Sequence, residues 1–513
     1  MQTNGATRSF WMASATMPPF PPLEGHADAD VCVIGGGIAG LTTAYLLSRE
    51  GKSVVLVEAM NSLGAGETGR TTAHFMPPDD RYFEIEKSFG AEGARKVAQS
   101  FEAATRLVET IARTEAPECE FERLDGYLYC LPGQDRQIIE HEYAAATRAG
   151  VAVERLPRVP GLAFDTGECI RFSHQAQFHP LRYLAGLAVA CARQGVRIHC
   201  STRAEDIDGD AASQVVTTSH GDIRARAVVV ATNTPFNDRV VMHTKQSGYR
   251  TYVVAMEVPK ASIPRVLLWD TGDPYYYVRL ASRHDAAATD MLIVGGADHK
   301  VGQDDHPEPR WNEIERWARE RFPTAGATAH RWSGQVMEPA DALAFFGRNP
   351  MDGKMVYIIT GDSGTGMTNC TAGAIAVTDM IVGRPNAWAD IHEPARKATH
   401  GLGEFVKEQA NTIAQYKDLV TGGDVRSAEQ IPPGEGAVIR QGARKLAVYK
   451  DDASRLHVRS AICTHLGCVV AWNPAEKSWD CPCHSSRFDV DGEVLHGPAN
   501  TPLAHAVLDE PHQ

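Results

Sequence analysis

A chain of 513 residues, 43% hydrophobic and 22% charged, is too long for one hydrophobic core and has an ordinary globular composition, so roughly two to four domains are expected. A net charge of -13 argues against nucleic acid as a partner, because that binding depends on clustered Lys and Arg. No stretch approaches the roughly 20 apolar residues of a membrane-spanning helix, and the proline-bearing segment Met1 to Asp30 lacks the pattern of a secretory signal. Composition therefore predicts a soluble, cytoplasmic protein.

The first informative stretch begins at Asp30. The apolar run Val31 to Ile34 ends in Gly35-Gly36-Gly37-Ile38-Ala39-Gly40, a helical face follows through Leu41, Ala44 and Leu47, and a second apolar run ends at Glu58. Strand, glycine turn, helix and strand in this order predict a dinucleotide fold. Gly35 permits the tight turn, Gly37 lets a pyrophosphate approach the backbone, and Gly40 lets helix and strand pack closely. The phosphates would rest at the helix N-terminus, and Glu58 would accept from a ribose. A carboxylate there disfavours a 2′-phosphate, but the motif alone does not separate NAD from FAD.

The polar loop Gly64 to Thr72 follows, with Thr68, Arg70, Thr71 and Thr72 as candidate cofactor contacts. A second strand, loop and helix run from Met355 through Gly361, Gly364, Thr365, Gly366 and Met367 into an apolar helix near Ala372. Here the chain resembles the FAD-dependent amine and amino-acid oxidase superfamily, which includes the D-amino-acid, glycine and sarcosine oxidases, over about Val31 to Gly383. The resemblance implies FAD, a backbone contact to adenine near Ala204, a strand Arg226 to Asn233 returning to the cofactor, and a segment Trp332-Ser333-Gly334 running towards the flavin. No second glycine fingerprint for a pyridine nucleotide is found in the sequence.

Between Thr234 and Ala329, runs such as Tyr252 to Val258 and Leu292 to Gly296 alternate with turn residues and predict an antiparallel sheet. The resemblance implies that this sheet roofs the flavin and holds substrate, with Tyr277 and Arg279 as candidate substrate contacts. Arg279 would grip a carboxylate as a fork, unless it forms an ordinary surface pair. His74 is read as a cofactor-proximal residue rather than a covalent flavin anchor, and His299 as structural. No catalytic base stands out.

Gly401 to Lys417 reads as a helix, and short strands follow from Gly436. Of the 11 cysteines, four fall between Cys463 and Cys483. Cys463-x-His465 and Cys481-x-x-His484 supply two thiolates and two imidazoles. That set suits the two irons of a Rieske [2Fe–2S] centre, or a tetrahedral zinc. Cys468 and Cys483 occupy matching places in the two loops, where Rieske proteins of the cytochrome bc type carry a disulfide. This resemblance, over about 425 to 510, favours the cluster and implies that disulfide. It also places Ser486 against a bridging sulfide and puts Phe488 where those proteins carry a tyrosine.

The expected architecture is α/β and α+β: a Rossmann-like FAD-binding domain with an antiparallel-sheet substrate domain, and an all-β Rieske domain. The FAD-dependent part would span 28–400 (FAD-binding 28–233 and 331–400, substrate about 234–330), followed by a linker helix at 401–424 and the Rieske domain at 425–513. The expected activity dehydrogenates an amine or amino acid at FAD and sends electrons singly through the cluster to an acceptor protein or a quinone-like acceptor. Reverse electron flow, or a flavin oxidase carrying a redox-sensing or docking module, are the rival readings.

Overall fold

The structure, a computed structural model, describes residues 3–77, 81–210, 212–237, 242–283, 288–304, 306–350, 352–353, 355–396, 411–412, 414–419 and 421–509. Its first sheet orders the strands Phe345–Arg348, Val356–Thr360, Gly221–Val230, Ala27–Ile34, Val54–Val57 and Arg197–His199, with Ala204–Gly209 and Gln214–Thr218 branching from Gly221–Val230. Ala27–Ile34 runs parallel to both of its neighbours. Residues 31–34 and 54–57 are buried throughout, as unbroken apolar runs require in a parallel sheet covered on both faces. The helices Ile38–Arg49 and Gly366–Val382 pack against each other on one face.

The glycine turn is enforced by space. Gly35 has φ +110° and a Cβ there would stand 2.4 Å from Ala231 O, while a Cβ on Gly40 would stand 1.9 Å from Gly35 O. Both substitutions would separate the helix from the strands it packs against.

The second sheet orders Thr328–Pro339, Gln246–Pro259, Thr289–Lys300, Tyr276–Ser282, Leu267–Asp270, Glu122–Tyr129, Cys169–Gln177 and His74–Phe75, with Val153–Leu156 beside Cys169–Gln177. It corrects the expected substrate part in two ways. Four strands come from before residue 178, so the sheet is wider than 234–330. Leu267–Asp270 also pairs parallel with Glu122–Tyr129, so the sheet is mixed. The chain crosses between the two sheets repeatedly, and a linear division misses that.

The C-terminal region holds a three-stranded sheet, Glu435–Gln441, Arg444–Lys450 and Leu456–Ser460. A four-stranded one follows, Ala471–Asn473, Ser478–Asp480, Arg487–Phe488 and Val494–His496, and both are antiparallel. Most of the expected helix, 401–410 and 413, lies outside the described residues.

This region is locked to the rest by a buried charge network. Arg70 Nη1 lies 3.1 Å from Glu476 Oε1 with both side chains fully buried, and Arg487 Nε lies 3.1 Å from Asp480 Oδ1. Arg250 Nη1 donates to Ser333 Oγ at 2.9 Å, and Ser333 donates to Glu476. The N-terminal segment threads through the same seam: Ala6 N donates to Glu476 O at 2.9 Å, Thr7 N to Glu476 Oε2 at 3.2 Å, and Arg487 Nη1 to Asn4 O at 2.8 Å. Burial alone would raise the Glu476 carboxyl, but the Arg70, Arg250 and Arg487 guanidiniums hold it at about 2.

Candidate functional site

One cavity is lined by residues of both sheets. Gly35, Gly37 and Glu58 line it. Glu58 Oε2 accepts from Gly36 N at 2.7 Å and Oε1 from Met60 N at 2.8 Å, and burial pushes this carboxyl above its ordinary value. Thr68 Oγ1 accepts from Ile38 N at 3.1 Å at the start of the helix. A Cβ on Gly37 would meet only Thr68, its Oγ1 at 3.0 Å, so bare backbone and a helix N-terminus face the cavity there. That is the cradle a pyrophosphate needs.

Thr71, Thr72 and Ala204 also line the cavity, and so do Gly364, Gly366 and Met367 at the start of the later helix. Arg70 borders it, but its guanidinium turns into the seam, where Nη1 donates to Thr7 Oγ1 and Ser333 O at 2.9 Å each. Gly40, Gly361 and Thr365 do not line it. Gly40 packs against Gly35, Gly361 (φ +70°) turns beneath Pro339, and Thr365 precedes the helix as its N-cap.

At the other end stand His74, Trp269, Tyr275 and Tyr277. His74 Nδ1 lies 3.1 Å from Thr72 Oγ1 and Nε2 lies 3.2 Å from Val278 O. A carbonyl only accepts, so Nε2 carries the proton. Burial, reinforced by Arg279, pulls the ring's pKa down to about 3, so it is neutral. The hydroxyls of Thr251 and Tyr277 are 2.7 Å apart, and Tyr275 donates to Asp298 at 2.8 Å. Burial pushes Asp298 to about 6, and Asp362, which lines the cavity, to about 7.

In the C-terminal region the two cysteine–histidine loops are built alike. Gly467 N donates to Cys463 O and Ser485 N to Cys481 O, both at 3.0 Å. The rings of His465 and His484 stand 4.9 Å apart at 89°. Cys463 and Cys481 are within thiol hydrogen-bond reach, and that contact, with Ser486 also donating, lowers the Cys463 pKa. Ser486 Oγ accepts from Ala499 N at 3.0 Å. His484 Nδ1 is buried and meets no hydrogen-bond partner among the described residues. Two converging sulfurs and an unsatisfied imidazole nitrogen fit a metal cluster held by Cys463, Cys481, His465 and His484. The sulfurs of Cys468 and Cys483 meet between the loops, with Cα atoms 6.4 Å apart.

Residues 30–380 match the FAD dependent oxidoreductase family, and residues 423–507 match the Rieske [2Fe-2S] domain. The chain belongs to the FAD-dependent oxidoreductase family. It carries a C-terminal Rieske domain and binds FAD and a [2Fe–2S] cluster. It is 32% identical over 514 residues to the "Putative Rieske 2Fe-2S iron-sulfur protein YhfW" of Bacillus subtilis (strain 168), covering 98% of each chain. It is also 26% identical to the gamma-glutamylputrescine oxidoreductase of Escherichia coli (strain K12), over 71% of this chain and 86% of that one. Glycine oxidase from Geobacillus kaustophilus superposes with a TM-score of 0.62 at 17% identity, over 72% of this chain and 99% of that one. The likeness in fold extends over the oxidoreductase part.

Within this oxidoreductase, Arg279 is not where the carboxylate fork requires it. It is buried and absent from the cavity wall. Its Nη1 donates to the carbonyls of Thr72, Ala73 and Phe178 at 3.1, 2.6 and 3.2 Å, and its guanidinium lies 5.1 Å from the Trp11 ring centroid. The alternative surface pair fails as well, because the side chain never reaches the surface. Tyr277 does line the cavity. His299 is structural as expected, with Nε2 2.9 Å from Tyr252 Oη and Nδ1 2.7 Å from Lys300 O.

Sequence reasoning missed the residues that join the two sites. Residues Leu495, His496, Gly497, Ala499 and Asn500 of the Rieske domain line the FAD cavity, as do Asn233 and Gln335 of the oxidoreductase part. His496 Nε2 lies 3.0 Å from Asn233 Oδ1. His243 stands edge-on to the cluster histidines, its ring centroid 4.9 Å from that of His465 and 6.3 Å from that of His484. Asn233 ends the strand expected to return to the cofactor, and Gly497 and Ala499 fall where the Rieske resemblance implies a proline loop over the cluster, but nothing in the sequence around His243, Gln335 or His496 points to a place between the two sites.

Proposed function

We propose that this chain dehydrogenates an amine or amino acid at FAD and delivers the electrons one at a time, through the Rieske cluster, to an external acceptor, either a protein or a quinone-like molecule. The observation that carries this reading is the shared wall: the cavity fitted to FAD is closed in part by residues 495–500 of the cluster domain. Bound FAD would supply a hydride acceptor and the cluster a one-electron carrier. The names of the similar proteins, an oxidoreductase of gamma-glutamylputrescine and an oxidase of glycine, support a C–N bond as the one oxidised.

The chain's own residues supply placement. Trp269, Tyr275 and Tyr277 wall the cavity with aromatic surface, which orients a substrate and excludes water. The Thr251–Tyr277 and Tyr275–Asp298 hydrogen bonds hold those rings. Asp362, with its pKa near neutrality, stands in the wall as the group suited to take a proton from an ammonium substrate. At the cluster, Ser486 faces the Cys463 sulfur, and a Cys468–Cys483 disulfide would tie the two ligand loops together. The proposed division is an oxidoreductase part at 28–400, a linker at 401–424 and a cluster domain at 425–513.

An anaerobic screen of amines and amino acids for flavin bleaching identifies the substrate. Rapid mixing with it should bleach the flavin first and the cluster afterwards. Cluster reduction that precedes flavin reduction, or never follows it, refutes the proposed flow. The purified protein should hold one FAD and two irons. Equimolar zinc in their place, after growth with adequate iron, would refute the cluster assignment.

A further inference from the structure

Gln335 lies in the strand Thr328–Pro339, is 2% exposed, and lines the FAD cavity. Its Nε2 donates to Ser485 O at 3.1 Å, and Ser485 directly follows the cluster ligand His484. The same nitrogen lies 3.3 Å from His496 Nδ1 on the cluster domain's share of the cavity wall. Because a carbonyl only accepts, the contact with Ser485 fixes which way the amide points. Oε1 is left buried with no partner among the described residues. A buried amide oxygen without a partner is expensive, and at this position the occupant of the cavity is placed to satisfy it.

The two parts also approach closely at this point. Gly248, on the neighbouring strand Gln246–Pro259, pairs with Met337 and lies against Ser485. A Cβ on Gly248 would stand 2.1 Å from Ser485 Oγ and 2.4 Å from Ser485 Cβ. Only a residue without a side chain lets the ligand loop settle against this strand. Gly248 does not line the cavity, and a Cβ there would also stand 3.5 Å from Gln335 Nε2, so it acts on the loop and on the amide that holds it.

We infer that Gln335 is the positioning residue that couples the two redox centres, its Nε2 holding the cluster loop at Ser485 and its Oε1 accepting a hydrogen bond from bound FAD, with Gly248 allowing the loop to sit that close. This rests on the relay reading given under Proposed function and names its route. The step served moves one electron from the reduced flavin to the oxidised cluster. No bond forms or breaks, and the second electron follows once the external acceptor has emptied the cluster.

The test uses the loaded holoprotein and no substrate. A laser flash with deazariboflavin and EDTA reduces the flavin, and the absorbance of flavin and cluster is followed as the electron redistributes. Gln335→Met keeps length and apolar bulk but loses both hydrogen bonds. It should retain one FAD and two irons, keep both midpoint potentials, and slow the transfer roughly ten- to a hundredfold, the scale on which losing an outer partner lowers activity at metal centres. Gly248→Ala should slow it too, while leaving flavin content and flavin spectrum intact.

A wild-type transfer rate in fully loaded Gln335→Met overturns the inference, and so does a slowing that a shifted potential accounts for. If Gln335→Met loses FAD or iron, Gly248→Ala decides in the same way. Absence of any flavin-to-cluster transfer in the wild-type protein overturns the relay itself, whereas normal wild-type transfer matched by the variants overturns only the role of Gln335 and Gly248.

Discussion

Glu476→Gln removes the carboxylate that pairs with Arg70 and lies near the buried Arg250 and Arg487. A carboxyl held at about 2, against an ordinary 4.5, favours the folded state by about 3 kcal/mol, since each tenfold change in proton affinity is worth about 1.4 kcal/mol. The loss expected when one partner of a buried pair is deleted is similar, about 3–5 kcal/mol. Because the folded value is depressed, the stabilisation is full above the unfolded value of 4.5 and is lost as pH falls from there through about 2. Glu476→Gln should therefore be about 3 kcal/mol less stable than wild type at pH 7, and the gap should shrink to about half that by pH 3. Urea unfolding followed by tryptophan fluorescence measures both. A loss below about 1 kcal/mol, the range of exposed pairs, or a gap that does not change with pH, would refute the claim that this seam is locked by charge.

Arg279→Lys cannot serve three carbonyls with a fork, so the variant should melt earlier, by about 1–3 kcal/mol. Its KM should match wild type, and a raised KM at unchanged stability would return Arg279 to the substrate. Phe488 is fully buried beside Cys463 and Cys481. Phe488→Tyr should raise the cluster potential in a redox titration if the new hydroxyl donates to sulfur, and an unchanged or lower potential with that bond in place would show that position 488 does not tune the cluster. Cys468→Ala should shorten the lifetime of the cluster in the absence of thiol reductant, measured by the visible absorbance, if a Cys468–Cys483 disulfide ties the two ligand loops.

The parts legible in the sequence are those whose chemistry is local. Gly35, Gly37 and Gly40 fall within six residues of a strand-to-helix turn, and their spacing is dictated by one ligand and one packing contact. The two loops carrying Cys463, His465, Cys481 and His484 are likewise local in the sequence, and the structure brings those four side chains together. What sequence could not convey was direction and distant pairing. Arg279 was read by residue type and neighbouring tyrosines, but one strand position decides whether a side chain meets the cavity or the core. Glu476 is satisfied by Thr7, Arg70 and Ser333, up to 469 residues away along the chain. Its role is invisible until the fold brings them together. The N-terminal segment, unremarkable in composition, proves to be part of the same seam through Asn4, Ala6 and Thr7.

The loop at residues 495–500 gives maturation an order. A dinucleotide chamber with part of its wall supplied by residues 495–500 is complete only when that region has folded, and where folding there is coupled to the iron–sulfur centre, as in many small metal-holding domains, the two cofactors are linked. Cells starved of iron would then accumulate chains with an unfinished chamber and poorly retained flavin, although every glycine and acid of the nucleotide fold is intact. Colour would fail as a measure of either cofactor alone, because supply of one metal would govern the occupancy of both.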